Sequence, residues 1–172
     1  MTESTDRGLE QQQPGAPVTS VTTRVNGAEI LLELDGGRAL VDVLRQDLGL
    51  RGSHLGCRNG DCGACTVLVD GQPFKSCLVP AARAEGRVIE TLDGLADSGS
   101  GRMHPVQEHF LAANAFQCGF CLPGHVLCTV AALRQDPPPD DLDGELDGNL
   151  CRCTGYQQIS AAVAAARTGA TG

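Results

Sequence analysis

The sequence predicts an α+β protein in which a strand-rich first half is followed by a helical second half. In the first half, the turn pairs Asn26-Gly27 and Asp70-Gly71 separate runs of alternating apolar residues, which is the pattern of β-hairpins. After Met103 the apolar residues recur at helical spacing instead. Eight of the nine cysteines fall into two sets of four, one in each half, so we expect a metal site in each half.

The strand-rich part is predicted to span residues 18–95, after a polar tail of residues 1–17 that is predicted to be disordered. Its first hairpin is indicated by Val21, Thr23 and Val25 before the turn and by Ile30, Leu32 and Leu34 after it. A helix is then indicated by Leu40, Val43, Leu44 and Leu48, with Gly49 as its end. Thr66–Val69, the segment after Asp70-Gly71, and Val88–Thr91 are the remaining strands, so the predicted order is β-β-α-β-β-β.

The helical part is predicted to span residues 104–172, after a small and polar linker at residues 96–103. Four helices are expected in it. Pro105 and Pro123 stand in the first turns of the first two helices, where proline is tolerated. A short third helix is indicated by Leu142 and Leu146, and an alanine-rich fourth helix covers Ile159–Arg167.

The first cysteine set has the spacing C-x4-C-x2-C-x11-C and consists of Cys57, Cys62, Cys65 and Cys77. Four thiolates at closely spaced loop positions can hold a [2Fe-2S] cluster, and this spacing is the plant-type ferredoxin arrangement. Gly56, Gly60 and Gly63 lie among the cysteines, as expected of a loop that brings amide N–H groups close to sulfur. Zinc in an all-cysteine site is the alternative, which three cysteines crowded into one glycine-rich loop disfavour.

The second cysteine set consists of Cys118 and Cys121 as C-x2-C, followed by Cys151 and Cys153 as C-x-C. Taken alone, this set fits either a [2Fe-2S] cluster or tetrahedral zinc. Disulfides are not expected, because the N-terminal sequence lacks the basic and apolar regions of a secretion signal. We therefore expect reduced thiols in the cytoplasm, with the ninth cysteine, Cys128, as a buried apolar side chain.

The composition argues against several classes of function. The formal net charge of -8 argues against nucleic acid as a partner, because phosphate binding requires a basic face. No apolar run approaches the length of a membrane span. The sequence has no glycine-rich nucleotide loop or Walker motif, so any nucleotide cofactor is expected on another chain.

Five strings together resemble the iron-sulfur subunit of the molybdenum hydroxylases, the family of xanthine dehydrogenase, aldehyde oxidoreductase and carbon monoxide dehydrogenase. They are GCRNGDCGACTV, SC at 76–77, HPVQ at 104–107, QCGFCLPG at 117–124 and GNLCRCTGY at 148–156. The resemblance covers about residues 18–167. It implies an N-terminal β-grasp domain similar to plant-type ferredoxin and an all-α four-helix domain, each with one [2Fe-2S] cluster.

The resemblance also implies an electron-transfer role in an oxidoreductase complex whose substrate is oxidised on another chain. The implied partners are a large subunit with a molybdopterin-type molybdenum cofactor and a medium subunit with FAD, assembled as a dimer of heterotrimers. Electrons would pass from molybdenum to the second cysteine set, then to the first set, and then to FAD. Gln117 and Cys153 match family positions next to the pterin, whereas His54 stands where lysine is common. A free-standing two-cluster ferredoxin and a zinc-stapled structural module are the alternative functions.

Overall fold

A five-stranded mixed sheet forms the first half of the protein in the computed structural model, which describes residues 18–35, 37–96 and 99–169. Its strands are β1 (Val18–Val25), β2 (Ala28–Asp35), β3 (Thr66–Val69), β4 (Gln72–Lys75) and β5 (Val88–Glu90). They lie in the order β2-β1-β5-β3-β4, in which only β1 and β5 pair in parallel. The predicted order of elements along the chain, β-β-α-β-β-β, is confirmed, while the predicted tail, residues 1–17, lies outside the described residues.

Both predicted hairpin turns are present, and both have the backbone that tight two-residue turns require. Asn26 and Gly27 have φ angles of 49° and 84°, and Asp70 and Gly71 have φ angles of 49° and 81°. Positive φ at both central residues matches the twist of the flanking strands. The turn residues therefore fix the register of β1 with β2 and of β3 with β4.

One face of the sheet is covered by the predicted helix, α1 (Leu40–Asp42), which continues as a π-helical segment over Val43–Asp47. Gly49 has a φ angle of 68° just after this segment, in agreement with its predicted role at the helix end. The core under α1 includes Val21, Leu34, Leu40, Leu44, Val67 and Ile89. The chain leaves this core at Leu50 and forms the first cysteine loop before β3 begins.

The second half contains α2 (Pro105–Ala112), α3 (Leu122–Leu133) and α4 (Gln157–Gly169). The N-terminus of α2 is closed by a capping box of two reciprocal hydrogen bonds. The Val106 N–H donates to His104 Nδ1 at 3.2 Å, and the His104 N–H donates to Gln107 Oε1 at 2.9 Å. The short third helix forms only as one 3₁₀ turn, Gly144–Leu146. Gly144 disfavours a longer helix through its backbone entropy, and its N–H donates to Asp141 Oδ1 at 2.9 Å.

The two halves share one of their hydrophobic cores. Val67 and Leu68 are neighbours on β3 and point to opposite faces of the sheet, as alternation along a strand requires. Val67 packs under α1, whereas Leu68 packs with the buried residues of α2, α3 and α4. The sheet therefore lies between α1 on one face and α3 on the other. Within the described ranges, no helix is long and apolar enough to cross a membrane.

Candidate metal centres

The first cysteine set comes together between α1 and the ends of β3 and β4. Cys57 and Cys62 lie on the loop before β3, and the Cys62 N–H points at Cys57 Sγ at 3.4 Å. Cys65 is buried at the start of β3, and its carbonyl oxygen accepts the Ser76 hydroxyl at 2.6 Å. This bond brings Cys77, the next residue, close to Cys65, whose thiol contributes to the shifted pKa of Cys77.

Two positive φ angles explain why glycine is required at two positions of this loop. Gly60 and Gly63 have φ angles of 90° and 72°, in the left-handed region that side chains with a Cβ rarely adopt. This geometry turns backbone N–H groups toward sulfur. The amides of Cys62 and Asn59 lower the pKa of the Cys57 thiol to about 6, whereas burial and the Cys65 thiol raise the pKa of Cys77 to about 11.

The second cysteine set lies where α3 and α4 begin. Cys121 is the N-cap residue of α3, and Cys151 and Cys153 precede α4. Cys118 Sγ and Cys153 Sγ are 3.6 Å apart, and the thiols of Cys121 and Cys151 shift each other's pKa values, upward for Cys121 and downward for Cys151. Burial raises the pKa of Cys121 to about 12. All four cysteines predicted for this set are therefore together in the structure.

Thr154 and Tyr156, which the sequence did not single out, hold Cys151 in place. The Thr154 N–H donates to Cys151 Sγ at 3.4 Å, and the Thr154 hydroxyl contacts the same sulfur at 3.1 Å. The Cys151 N–H donates to the Tyr156 hydroxyl at 2.8 Å. Gly155 and Tyr156 have positive φ angles of 66° and 69°, which turn the chain sharply into α4. The GNLCRCTGY string thus contains both the thiols and the groups that orient them.

The thiols of each set are arranged in pairs, and this decides which metal group fits. The pairs are Cys57 with Cys62, Cys65 with Cys77, Cys118 with Cys153, and Cys121 with Cys151. A [2Fe-2S] cluster takes four cysteine thiolates, two on each iron, whereas structural zinc draws all four sulfurs around one ion. Among the described residues, no three or more His, Cys, Asp or Glu side chains converge around one position for a single metal ion. The donor sets therefore fit a binuclear iron-sulfur cluster better than a single zinc ion.

The two cysteine loops are in direct contact. The Leu150 N–H donates to the Cys62 carbonyl oxygen at 2.9 Å, which links a residue of the first set to the neighbour of Cys151. His54 Nδ1 and the Phe120 carbonyl oxygen are 2.8 Å apart, and the two rings stack with centroids 5.0 Å apart. The departure from the family pattern at His54 is therefore a contact between the two loops.

A buried polar network completes this contact. Asn149 donates from Nδ2 to Cys128 Sγ at 3.1 Å and to the Leu146 carbonyl oxygen at 3.3 Å. Its Oδ1 accepts the Lys75 ammonium at 3.3 Å, and this ammonium also donates to the Gly148 carbonyl oxygen at 2.8 Å. Cys128 is buried, as predicted, and burial raises the pKa of its thiol. The sequence predicted neither Lys75 nor Asn149 as a site residue.

The edge of the second cysteine set is open to solvent. Gln117, Cys118 and Cys153 lie at this edge, and the two cysteines are exposed. Three large apolar side chains beside them are also exposed: Phe120 (46%), Leu150 (59%) and Tyr156 (40%). Exposed aromatic and aliphatic side chains grouped at one place are typical of a surface that binds a partner.

Two family models match the chain: a 2Fe-2S iron-sulfur cluster binding domain over residues 23–96, and a [2Fe-2S] binding domain over residues 91–164. The small subunit of nicotine 6-hydroxylase from Paenarthrobacter nicotinovorans is 43% identical over 145 residues, which cover 83% of this chain and 86% of the relative. The iron-sulfur-binding subunit of xanthine dehydrogenase from Escherichia coli O157:H7 is 44% identical over 144 residues, which cover 81% and 89%. The crystal structure of quinoline 2-oxidoreductase from Pseudomonas putida 86 matches with a TM-score of 0.78 and 38% identity, over 88% of this chain and 98% of that chain.

Two matched domains and two paired thiol sets define a protein with two [2Fe-2S] clusters, which serves electron transfer. The relatives narrow this class further. The chain belongs to the iron-sulfur small subunits of the molybdenum hydroxylases, a family of oxidoreductases. The family that the five strings indicated is thereby confirmed, and the alternative of a zinc-stapled structural module is not supported.

Proposed function

We propose that this chain carries electrons from a molybdopterin-type cofactor on a large partner subunit, through its two [2Fe-2S] clusters, to FAD on a medium partner subunit. The observation that carries this proposal is the direct contact between the two cysteine loops. The Cys62 carbonyl oxygen and the Leu150 N–H are hydrogen-bonded, and Leu150 precedes Cys151. One hydrogen bond and a few covalent bonds therefore connect a ligand of each cluster.

The eight paired cysteines are the proposed cluster ligands. In the first cluster, Cys57 and Cys62 would hold one iron, and Cys65 and Cys77 the other. In the second cluster, the two iron sites would be held by Cys118 with Cys153 and by Cys121 with Cys151. When bound, each cluster accepts and releases one electron at a time.

Residues of this chain stabilise the negative charge of the cluster ligands. The N–H groups of Cys62 and Thr154 donate to Cys57 Sγ and Cys151 Sγ, at 3.4 Å each. The Phe120 N–H lowers the pKa of Cys118 in the same way. Hydrogen bonds to thiolate sulfur favour the more negative state of an iron-sulfur site, so these groups raise its reduction potential.

The two proposed partners bind at different surfaces. The exposed group of Phe120, Leu150 and Tyr156 surrounds the second set and fits the large subunit, with Gln117 and Cys153 next to its pterin. An open groove lined by Phe74 and Leu78 lies beside Cys77 and fits the FAD subunit. The proposed assembly in the cytoplasm is a dimer of such heterotrimers.

The proposal includes the finer assignment of the fold. The strand order β2-β1-β5-β3-β4, with one helix across the sheet, supports a β-grasp domain similar to plant-type ferredoxin. The helices α2 to α4 and the 3₁₀ turn Gly144–Leu146 support the all-α domain that follows it. In this assignment the ferredoxin-like domain spans residues 18–95 and the helical domain begins at residue 104.

Purification from the native host, followed by metal analysis and electron paramagnetic resonance, tests the proposal. We expect about four irons per chain and two distinguishable [2Fe-2S] signals in the reduced protein. We also expect copurification with a molybdenum-containing chain and a flavin-containing chain. Zinc in place of iron would contradict the cluster assignment, and an iron-loaded chain that purifies alone would favour the free-standing ferredoxin.

A further inference from the structure

Lys75 is the only lysine in the sequence, and the other residues counted as basic are arginines. It ends β4, two residues before Cys77. Its side chain is half-buried and extends to the loop before Cys151. The single lysine ammonium of the chain therefore contacts residues that neighbour both cysteine sets.

Three short-range contacts hold this ammonium. Lys75 Nζ lies 2.8 Å from the Gly148 carbonyl oxygen, 3.3 Å from Asn149 Oδ1 and 3.4 Å from Thr66 Oγ1. Thr66 directly follows Cys65, and Asn149 is two residues before Cys151. The compact ammonium has three donors for these three acceptors, which the planar guanidinium of arginine matches less well.

Among the residues that the structure describes, the charge of Lys75 has no carboxylate partner. All three of its acceptors are neutral groups, and the ion pairs of the described ranges are formed by arginines. A half-buried cation that is held only by dipoles carries a desolvation cost without a matching counter-charge. Two anionic clusters on either side of it would supply that counter-charge.

We infer that Lys75 is a positioning residue that holds a positive charge between the two clusters and raises the reduction potentials of both. This inference rests on the proposed function. In the step that it influences, one electron leaves the second cluster and enters the first, and no bond forms or breaks. A fixed cation between the clusters stabilises the added electron on either of them, so the potentials of both respond to its removal.

The test compares the variants Lys75→Met, Lys75→Gln and Lys75→Arg in the iron-loaded complex with its copurifying subunits. Redox titration followed by paramagnetic resonance measures the midpoint potential of each cluster. We expect Met and Gln to lower the reduction equilibrium constant of both clusters about tenfold, which is about 59 mV for a one-electron couple. Arg should restore most of this difference, because it keeps the charge.

Arg24→Met is the matched control, because it also removes one positive charge but does so on an exposed side chain of the same half, outside the groove proposed for the FAD subunit. Solvent and salt screen an exposed charge, so both potentials should stay unchanged in this variant. Unchanged potentials in Lys75→Met with both clusters assembled would overturn the inference and leave the proposed function intact. Equal loss of cluster assembly in Met, Gln and Arg would assign Lys75 a purely structural role, and absence of iron from the wild type would overturn both proposals.

Discussion

Replacing Gly63 with Ala should separate the two cysteine loops. A Cβ at Gly63 would overlap Asn149 Oδ1 and the Gly148 carbonyl oxygen, and would lie 2.8 Å from the Asn149 Cα. The φ angle of 72° at Gly63 adds strain for any residue with a Cβ. Because two of the overlapping atoms belong to backbone, a side-chain rotation cannot relieve the clash.

The expected magnitude follows from two separate costs. Left-handed backbone costs about 1–2 kcal/mol for a residue with a Cβ, and overpacking of a close contact adds about 1–3 kcal/mol. Gly71 provides the control, because its φ angle is 81° and a Cβ there would meet no atom within 4 Å. Gly71→Ala therefore carries the first cost alone, and Gly63→Ala carries both.

Apparent Tm values at one scan rate, measured on the iron-loaded protein, compare the two variants. An additional loss of about 2 kcal/mol corresponds to a further decrease in Tm of about 4–8 °C for a protein of this size. Electron transfer between the clusters should also slow in Gly63→Ala, because the hydrogen bond from Leu150 to Cys62 lies next to the clash. Equal Tm values for the two variants would show that the loops are not held at Gly63.

Three further predictions concern single side chains. Cys65→Ser should abolish the paramagnetic signal of the first cluster and preserve that of the second, because the proposed ligands of the second cluster all lie after residue 117. Loss of both signals from a folded variant would contradict this prediction. Gln117→Ala should remove the proposed hydrogen bond to the pterin, worth on the order of 1–2 kcal/mol, and slow reduction of the second cluster by substrate in rapid-kinetic measurements; a wild-type rate would contradict this assignment. Burial and Arg134 lower the pKa of His104, so the stability that neutral His104 contributes is present above about pH 6.5 and is lost as pH falls through the folded pKa. His104→Asn keeps a capping side chain and should flatten this part of the profile of Tm against pH. An unchanged profile would show that His104 does not cause this pH dependence.

The local features of the fold were predictable because their causes lie within a few residues. The pairs Asn26-Gly27 and Asp70-Gly71 adopt positive φ angles wherever two strands must meet in a tight turn. The cysteine spacing likewise predicts the three thiols of the first loop, whereas the pairing of β3 with β4 brings Cys77 to them. Packing of the helical half brings Cys118 to Cys153. The third helix was overestimated, since its apolar residues Leu142 and Leu146 indicate burial and do not set helix length.

The contacts between the halves were not predictable in the same way. Lys75 and Asn149 are 74 residues apart, and His54 and Phe120 are 66 residues apart. No periodicity or spacing relates residues at such separations, because tertiary packing alone brings them together. The available signals were indirect: Lys75 is the only lysine, and His54 departs from the family pattern.

The shared core around Leu68 means that the separation between the two redox sites is established when this chain folds, before any other subunit binds. A subunit that fixes this separation by itself does not need a new arrangement of its cysteine sets when its proposed catalytic partner changes. Relatives named for nicotine and for xanthine are nearly equally similar to it, at 43% and 44% identity. The substrate specificity of such a complex can therefore change in evolution while the electron-transfer subunit stays largely the same.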